Sequence, residues 1–393
     1  MPQILVLFSG AATAEYRVAG IPAAARAAHA LAALEHSGDI DGCAIIAGPD
    51  WTPGAEVIAE CARLAPRLPT RFSDSDPGDD VVVVRGERFV AAVARQPGEP
   101  RRDGVLPVLF DALSRPDAAP VGGAAGMRAL RRASRDILSM TGKAGDGIVS
   151  RYVNRPISRA ISGLLLKVPG LTPFHASIGT AVLGIAMTLA LILGNGPGLI
   201  AGAILFQAAS IFDGVDGEMA RATCRTSREG ATLDSVIDAC TNLAFVTGVT
   251  ANVGLAGDLS GALAGGIALL ALASGLLLIG TTVTAAGEPV NFDIVKKHFR
   301  RNGRPNRITE WLIHLTMRDF FAAASAVMIL AGLTHSLLIL FAAAAVGWFA
   351  VTLGVLRHAT RSGPAKPRVV RGIKMPVAQH AGASVQDRRH PRG

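Results

Sequence analysis

The stretch that decides the fold is IFDGVDGEMARATCRTSREGATLDSVIDAC, residues 211–240. Its four aspartates, Asp213, Asp216, Asp234 and Asp238, stand at steps of 3, 18 and 4 residues. Steps of three and four put each pair on one helical face. Apolar residues run outward on both sides, back through Leu199–Phe206 and on through Ala239–Leu255. A short turn between two such helices makes them antiparallel neighbours, so the four carboxylates are expected at one level near the end of a bundle. A carboxylate at membrane depth costs about 3 kcal/mol on insertion scales, and four together repel. Bound divalent cations relieve both costs. All-oxygen ligands favour Mg²⁺ or Mn²⁺, and two such ions about 4 Å apart form a phosphoryl-transfer clamp.

Working outward, the half beyond residue 170 holds further apolar runs near 20 residues long, which exclude a wholly soluble protein. Six membrane helices are expected near 174–194, 198–222, 231–256, 260–286, 310–333 and 335–357. Before them, Ile148–Val168 reads as an amphipathic interfacial helix. Arg151, Arg155 and Arg159 recur every four residues on one face, opposite Ile157, Ile161, Leu164 and Leu165. Lysine and arginine concentrate in this helix, the 223–230 turn, the 288–307 stretch and the tail. The connections near 194–198, 257–259 and 332–335 carry almost none. The positive-inside rule then places both termini and the acidic cluster on the cytoplasmic side of the cell's inner membrane.

The first 120 residues alternate short strands (4–8, 43–46, 81–84) with helices (23–34, 55–64), the pattern of a soluble, Rossmann-like parallel α/β sheet. The first apolar stretch, in MPQILVLFSG, is short and has no basic start, so no signal peptide is read there. The expected division is an α/β domain at 1–125, a flexible basic linker at 126–147, the membrane domain at 148–357 and a basic disordered tail at 358–393. That tail has eight Lys/Arg and one acid, Asp387. Of the 393 residues 50% are hydrophobic and 18% charged, with a net charge of +9. The excess basics flank apolar runs without a nucleic-acid motif, so they point to anionic lipids and not to nucleic acid. Four scattered cysteines give neither a disulfide framework nor a zinc site.

The pattern D-x2-D-G-x2-A-R-x8-G-x3-D-x3-D, met here by Asp213, Asp216, Gly217, Ala220, Arg221, Gly230, Asp234 and Asp238, resembles the signature of the CDP-alcohol phosphotransferase (phosphatidyltransferase) family. The resemblance covers about 146–357 and implies six membrane helices, a two-metal site and often a homodimer. It also implies transfer of a substituted phosphate from a CDP-alcohol donor to an alcohol acceptor, with release of CMP. It assigns Asp213, Asp216, Asp234 and Asp238 to the metals, with Asp238 also the base that deprotonates the acceptor. Gly217 and Ala220 leave room for the nucleotide, Arg221 contacts phosphates or steadies a ligand aspartate, and Gly230 lets the turn close.

The segment Asp146–Arg155 further resembles di-myo-inositol-phosphate-phosphate synthases, in which a cytidylyltransferase domain precedes the membrane domain. In the position where family members often carry Thr-Pro-Asn, this chain has Thr172-Pro173-Phe174. Residues 16–48 resemble sugar-phosphate nucleotidyltransferases, yet the loop Ser9–Glu15 keeps only Gly10 of a phosphate-cradling pattern. Arg85 stands where a metal-binding carboxylate is expected. The N-terminal domain is therefore read as a degenerate nucleotidyltransferase-like domain. The acceptor class is an inositol-type polyol, its phosphate or a lipid alcohol. Arg151, Arg155, Lys297 and Arg301 are candidates for the acceptor pocket, and Arg318 and Asp319 for cavity-facing positions. The alternatives are a bifunctional cytidylyltransferase–phosphotransferase, and a non-catalytic scaffold or transporter using the acids as an ion site.

Overall fold

The computed structural model describes residues 3–72 (apart from 37 and 49), 81–113 (apart from 97), 123–285 (apart from 144) and 317–361. The N-terminal part is an α/β domain. Strands β1 (Gln3–Leu7), β4 (Gly42–Ile46), β5 (Thr70–Arg71) and β6 (Val81–Arg85) form one parallel sheet in the order β5-β4-β1-β6. Gln3 pairs with Gly42 on one side of β1 and with Val81 on the other. A parallel strand must be joined by a crossover that covers the sheet, which explains the uninterrupted apolar runs in β1 and β4. Helix α1 (Ala11–Ala14) and a two-residue ribbon, β2 (Arg17–Val18) with β3 (Ile21–Pro22), precede α2 (Ala23–Glu35). Eight residues of α2 are buried, all of them alanine or leucine in one continuous core with Ile4, Val6 and Ile45. Helices α3 (Ala55–Leu64), α4 (Gly86–Val93) and α5 (Arg102–Leu113) complete the domain.

The stretch read as a flexible linker is largely helical. Helix α6 (Gly123–Ser139) buries Gly126, Leu130, Ala133 and Leu138 and turns Arg128, Arg131, Arg132 and Arg135 outward. Spacings of three to five residues between the buried positions give it one apolar stripe, and packing against α4 and the membrane half sustains it.

The expected interfacial helix is a π turn (Ser150–Asn154) running into α7 (Arg155–Leu165). Its apolar residues Tyr152, Ile157 and Leu164 are exposed, whereas Asn154, Arg155, Ser158 and Ser162 face inward. Arg155 was expected at the lipid headgroups, and that expectation is corrected. A buried carboxylate, Glu218, draws it into the protein.

Among the described residues, five helices are long and apolar enough to cross a membrane: α8 (Pro173–Leu193), α9 (Asn195–Ala222), α10 (Arg228–Leu255), α11 (Leu259–Ala285) and α13 (Thr334–Arg361, its apolar span ending at Arg357). The expected span at 310–333 appears as α12 (Arg318–Leu330), 13 residues, and its earlier part lies outside the described residues. At the end of the bundle remote from the aspartates, Asn252 Nδ2 donates to the carbonyls of Leu191 and Asn195 at 2.7 and 2.8 Å. Gly202 on α9 and Gly248 on α10 both sit against Leu191, where an added Cβ would come within 2.3 and 2.7 Å of its side chain. Such small residues let membrane helices approach closely.

Candidate metal and phosphate site

Asp213 and Asp216 project from α9, and Asp234 and Asp238 from the facing α10. Asp213, Asp234 and Asp238 line one cavity of about 330 Å³ at this end of the bundle. Asp213 and Asp234 are close enough to share a hydrogen bond. Asp216 is buried beside them and is held by α8, where Ser177 Oγ donates to its Oδ2 at 2.6 Å. Arg318, at the start of α12, places Nη1 3.0 Å from Asp213 Oδ1 and also pairs with Asp238. The four carboxylates were expected to meet as one ligand set. Three share the cavity, but among the described residues no three acids are spaced to grip one ion. Arg318 supplies the positive charge between α9 and α10, and Ser177 draws Asp216 aside. The donor set is nonetheless all oxygen and all acidic, which suits a hard divalent ion once Arg318 withdraws.

The remaining motif positions have defined places. Arg221 curls over Gly217, where an added Cβ would lie 3.0 Å from its Nη1, and its Nε donates to the Thr141 carbonyl at 2.6 Å. It lines a second cavity, about 230 Å³, between the α/β domain and the bundle, instead of the acidic one. Ala220 is half-buried, and its carbonyl accepts from Arg225 N–H at 2.8 Å. Gly230 N–H donates to Ser227 Oγ at 2.9 Å, which caps α10. Among the acceptor candidates, Arg151 is exposed. Arg155 is enclosed by Asp146 (2.8 Å) and Glu218 (2.9 Å). Lys297 and Arg301 lie outside the described residues. Of the α12 pair, Arg318 faces the cavity, and Asp319 instead accepts from Ser150 N–H at 2.7 Å.

Sequence reasoning missed Glu218, which is fully buried and accepts from Ser158 Oγ, Ser162 Oγ and Arg155. The available signal was an acid beside Gly217 in an otherwise apolar helix. It also missed Lys143, which lines the acidic cavity. Burial raises the Asp146 carboxyl, but the Arg155 hydrogen bond and charge outweigh it and leave the group below its ordinary range.

Long apolar helices around an acidic cavity, with an α/β domain attached, are the architecture of a multi-pass membrane protein. Residues 173–356 match the family model described as CDP-alcohol phosphatidyltransferase. Similar curated proteins are each named bifunctional IPC transferase and DIPP synthase. That of Thermococcus kodakarensis is 41% identical over 110 residues, 28% of this chain and 24% of the relative. That of Aquifex aeolicus is 45% identical over 103 residues, 26% and 23%. That of Archaeoglobus fulgidus is 34% identical over 118 residues, 30% and 23%. The chain thus aligns with about a quarter of each of these relatives.

Proposed function

We propose that this protein transfers a substituted phosphate from a CDP-alcohol to an alcohol acceptor and releases CMP. The observation that carries the reading is the convergence of Asp213, Asp234 and Asp238 on one cavity, within a family domain defined by transfer from CDP-alcohols. Asp213, Asp216, Asp234 and Asp238 would hold Mg²⁺ or Mn²⁺. When bound, those ions neutralise charge developing on the diphosphate as CMP leaves. Lys143 offers a cation to the donor's phosphates. Asp238, at the cavity wall, accepts the proton of the incoming hydroxyl once Arg318 has released it.

The cavity continues past the acids along Phe206, Phe245, Phe341 and Trp348, which favours an apolar group on one of the two substrates. Donor and acceptor stay at the level of CDP-diacylglycerol or a CDP-polyol with an inositol-type or lipid alcohol. The reading extends to an inner-membrane location with the cavity on the cytoplasmic side and to a homodimer.

The bifunctional alternative is disfavoured by one contact. Ser9, just after β1, donates both its backbone N–H and its hydroxyl to Glu87 Oε1 at 2.7 Å. A loop amide that would bind a phosphate is thus already committed to a carboxylate.

The test is CMP release, with product mass spectrometry, from purified protein offered CDP-diacylglycerol or CDP-inositol, several alcohols and Mg²⁺ or Mn²⁺. CMP release abolished by Asp238→Asn supports transfer. No CMP with any pair supports the scaffold reading. Pyrophosphate from CTP and inositol phosphate supports the bifunctional one.

A further inference from the structure

Helix α9 carries Asp213 and Asp216, and the turn after it sets where α10 begins. That turn ends the helix in an unusual way. Arg225 N–H donates to the Ala220 carbonyl and Cys224 N–H to that of Arg221, the pair of bonds of a Schellman end. The residue between must take left-handed backbone angles, a place that usually falls to glycine. Here it is Cys224, with φ of +52°. The carbonyls of Ala222, Thr223 and Cys224 are left over, at the negative end of the helix dipole.

All three are taken up by the α/β domain. Arg26 Nη2 on α2 donates to Ala222 O at 2.7 Å. Arg63 on α3 donates from Nη2 to Thr223 O at 2.8 Å and from Nη1 to Cys224 O at 3.1 Å. Both guanidiniums are themselves anchored. Arg26 also donates to the Val18 and Ala19 carbonyls, and Arg63 is held by Glu60, which pairs with Arg225 of the turn as well.

We propose that the α/β domain serves as the cap of the acidic-site helix, with Arg26 and Arg63 as positioning residues. Their hydrogen bonds hold a non-glycine residue in left-handed backbone and so set the spacing of the α9 aspartates from those on α10. This inference rests on the reading of those aspartates as a divalent-ion site. It also gives the α/β domain a part to play, as the surface that closes the end of α9.

The experiment uses the full-length protein in detergent, with Mn²⁺ binding followed by electron paramagnetic resonance and, on metal-free protein, hydrogen exchange of the peptide spanning 220–232. Arg63→Ala is expected to raise the Mn²⁺ half-saturation concentration about five- to tenfold and to speed exchange in that peptide. Arg63→Lys, which keeps the charge and loses the fork, is expected to fall between. Adding Cys224→Gly to Arg63→Ala is expected to recover most of the Mn²⁺ affinity, because glycine needs no help in left-handed backbone. Arg102→Ala, which breaks a remote surface pair with Asp39, is expected to change neither readout. Wild-type Mn²⁺ affinity and exchange in both Arg63 variants would overturn the capping role while leaving the acidic site intact. A wild-type protein that binds no Mn²⁺ would overturn the acidic-site reading, and the capping role with it.

Discussion

Arg318 Nη1 lies 3.0 Å from Asp213 Oδ1, so a guanidinium from α12 sits among the carboxylates of α9 and α10. A fixed cation in that place competes with any metal for the same oxygens. Replacing it with a neutral side chain of similar reach is expected to tighten metal binding and to weaken the metal-free fold.

For Arg318→Gln the expected gain in Mn²⁺ affinity is about tenfold, the equivalent of about 1.4 kcal/mol. Titration calorimetry on the purified protein measures it. Unchanged or weaker affinity would show that Arg318 does not oppose the ion.

Glu218 offers a second case. It is fully buried and receives Arg155, Ser158 and Ser162. Glu218→Ala removes the short-range acceptor of one guanidinium arm and two hydroxyls, leaving Arg155 Nη1 and Ser158 Oγ only long bonds of 3.4 Å to the Gly214 and Arg155 carbonyls. Breaking a buried pair from one side costs about 3–5 kcal/mol. Thermal unfolding in detergent is expected to shift down strongly for Ala and less for Gln, which still accepts hydrogen bonds. Equal, small shifts would mean that the network contributes little.

The seam between the two halves is expected to respond to pH through His29. Its Nδ1 donates to the Leu64 carbonyl at 3.1 Å, leaving Nε2 as acceptor for the Cys224 thiol at 3.8 Å. Burial lowers the His29 pKa from its ordinary 6.5. The unfolded chain therefore binds the proton more readily than the folded one. Stability is flat above about 6.5 and falls as pH drops below it. Unfolding temperatures between pH 5 and 7.5 are expected to show this slope in the wild type and a shallower one in His29→Gln. Parallel curves would remove His29 from the account.

Packing around Leu191 gives a test far from the acids. Gly248→Val would drive a side chain into Leu191, at a cost of about 1–3 kcal/mol from overpacking. Pairing it with Leu191→Ala is expected to recover part of the loss in detergent stability. No recovery would place the strain elsewhere.

Much of this was legible from residue order. The spacing of Asp213, Asp216, Asp234 and Asp238 on apolar helices requires two neighbouring helices and a shared polar end, because helical period and the cost of burying charge leave few alternatives. The apolar runs marked six spans, five of which are long and apolar enough among the described residues, and the strand–helix alternation marked the parallel sheet. Arg155 was misplaced because a basic residue every four positions looks the same whether it meets lipid headgroups or a buried acid 63 residues later. Helix α6 was taken for a linker because the surface that stabilises it belongs to other segments.

Local sequence therefore determined most of the elements and the acidic character of that end of the bundle, since helical period, hydropathy and charge act over a few residues. Only the folded chain decided which cation stands among the aspartates, which acid holds Arg155, and that Arg26 and Arg63 close the end of α9. Those pairings join residues 63 to 196 positions apart, and what selects them is the need of each buried charge or carbonyl for a partner, wherever in the chain that partner lies.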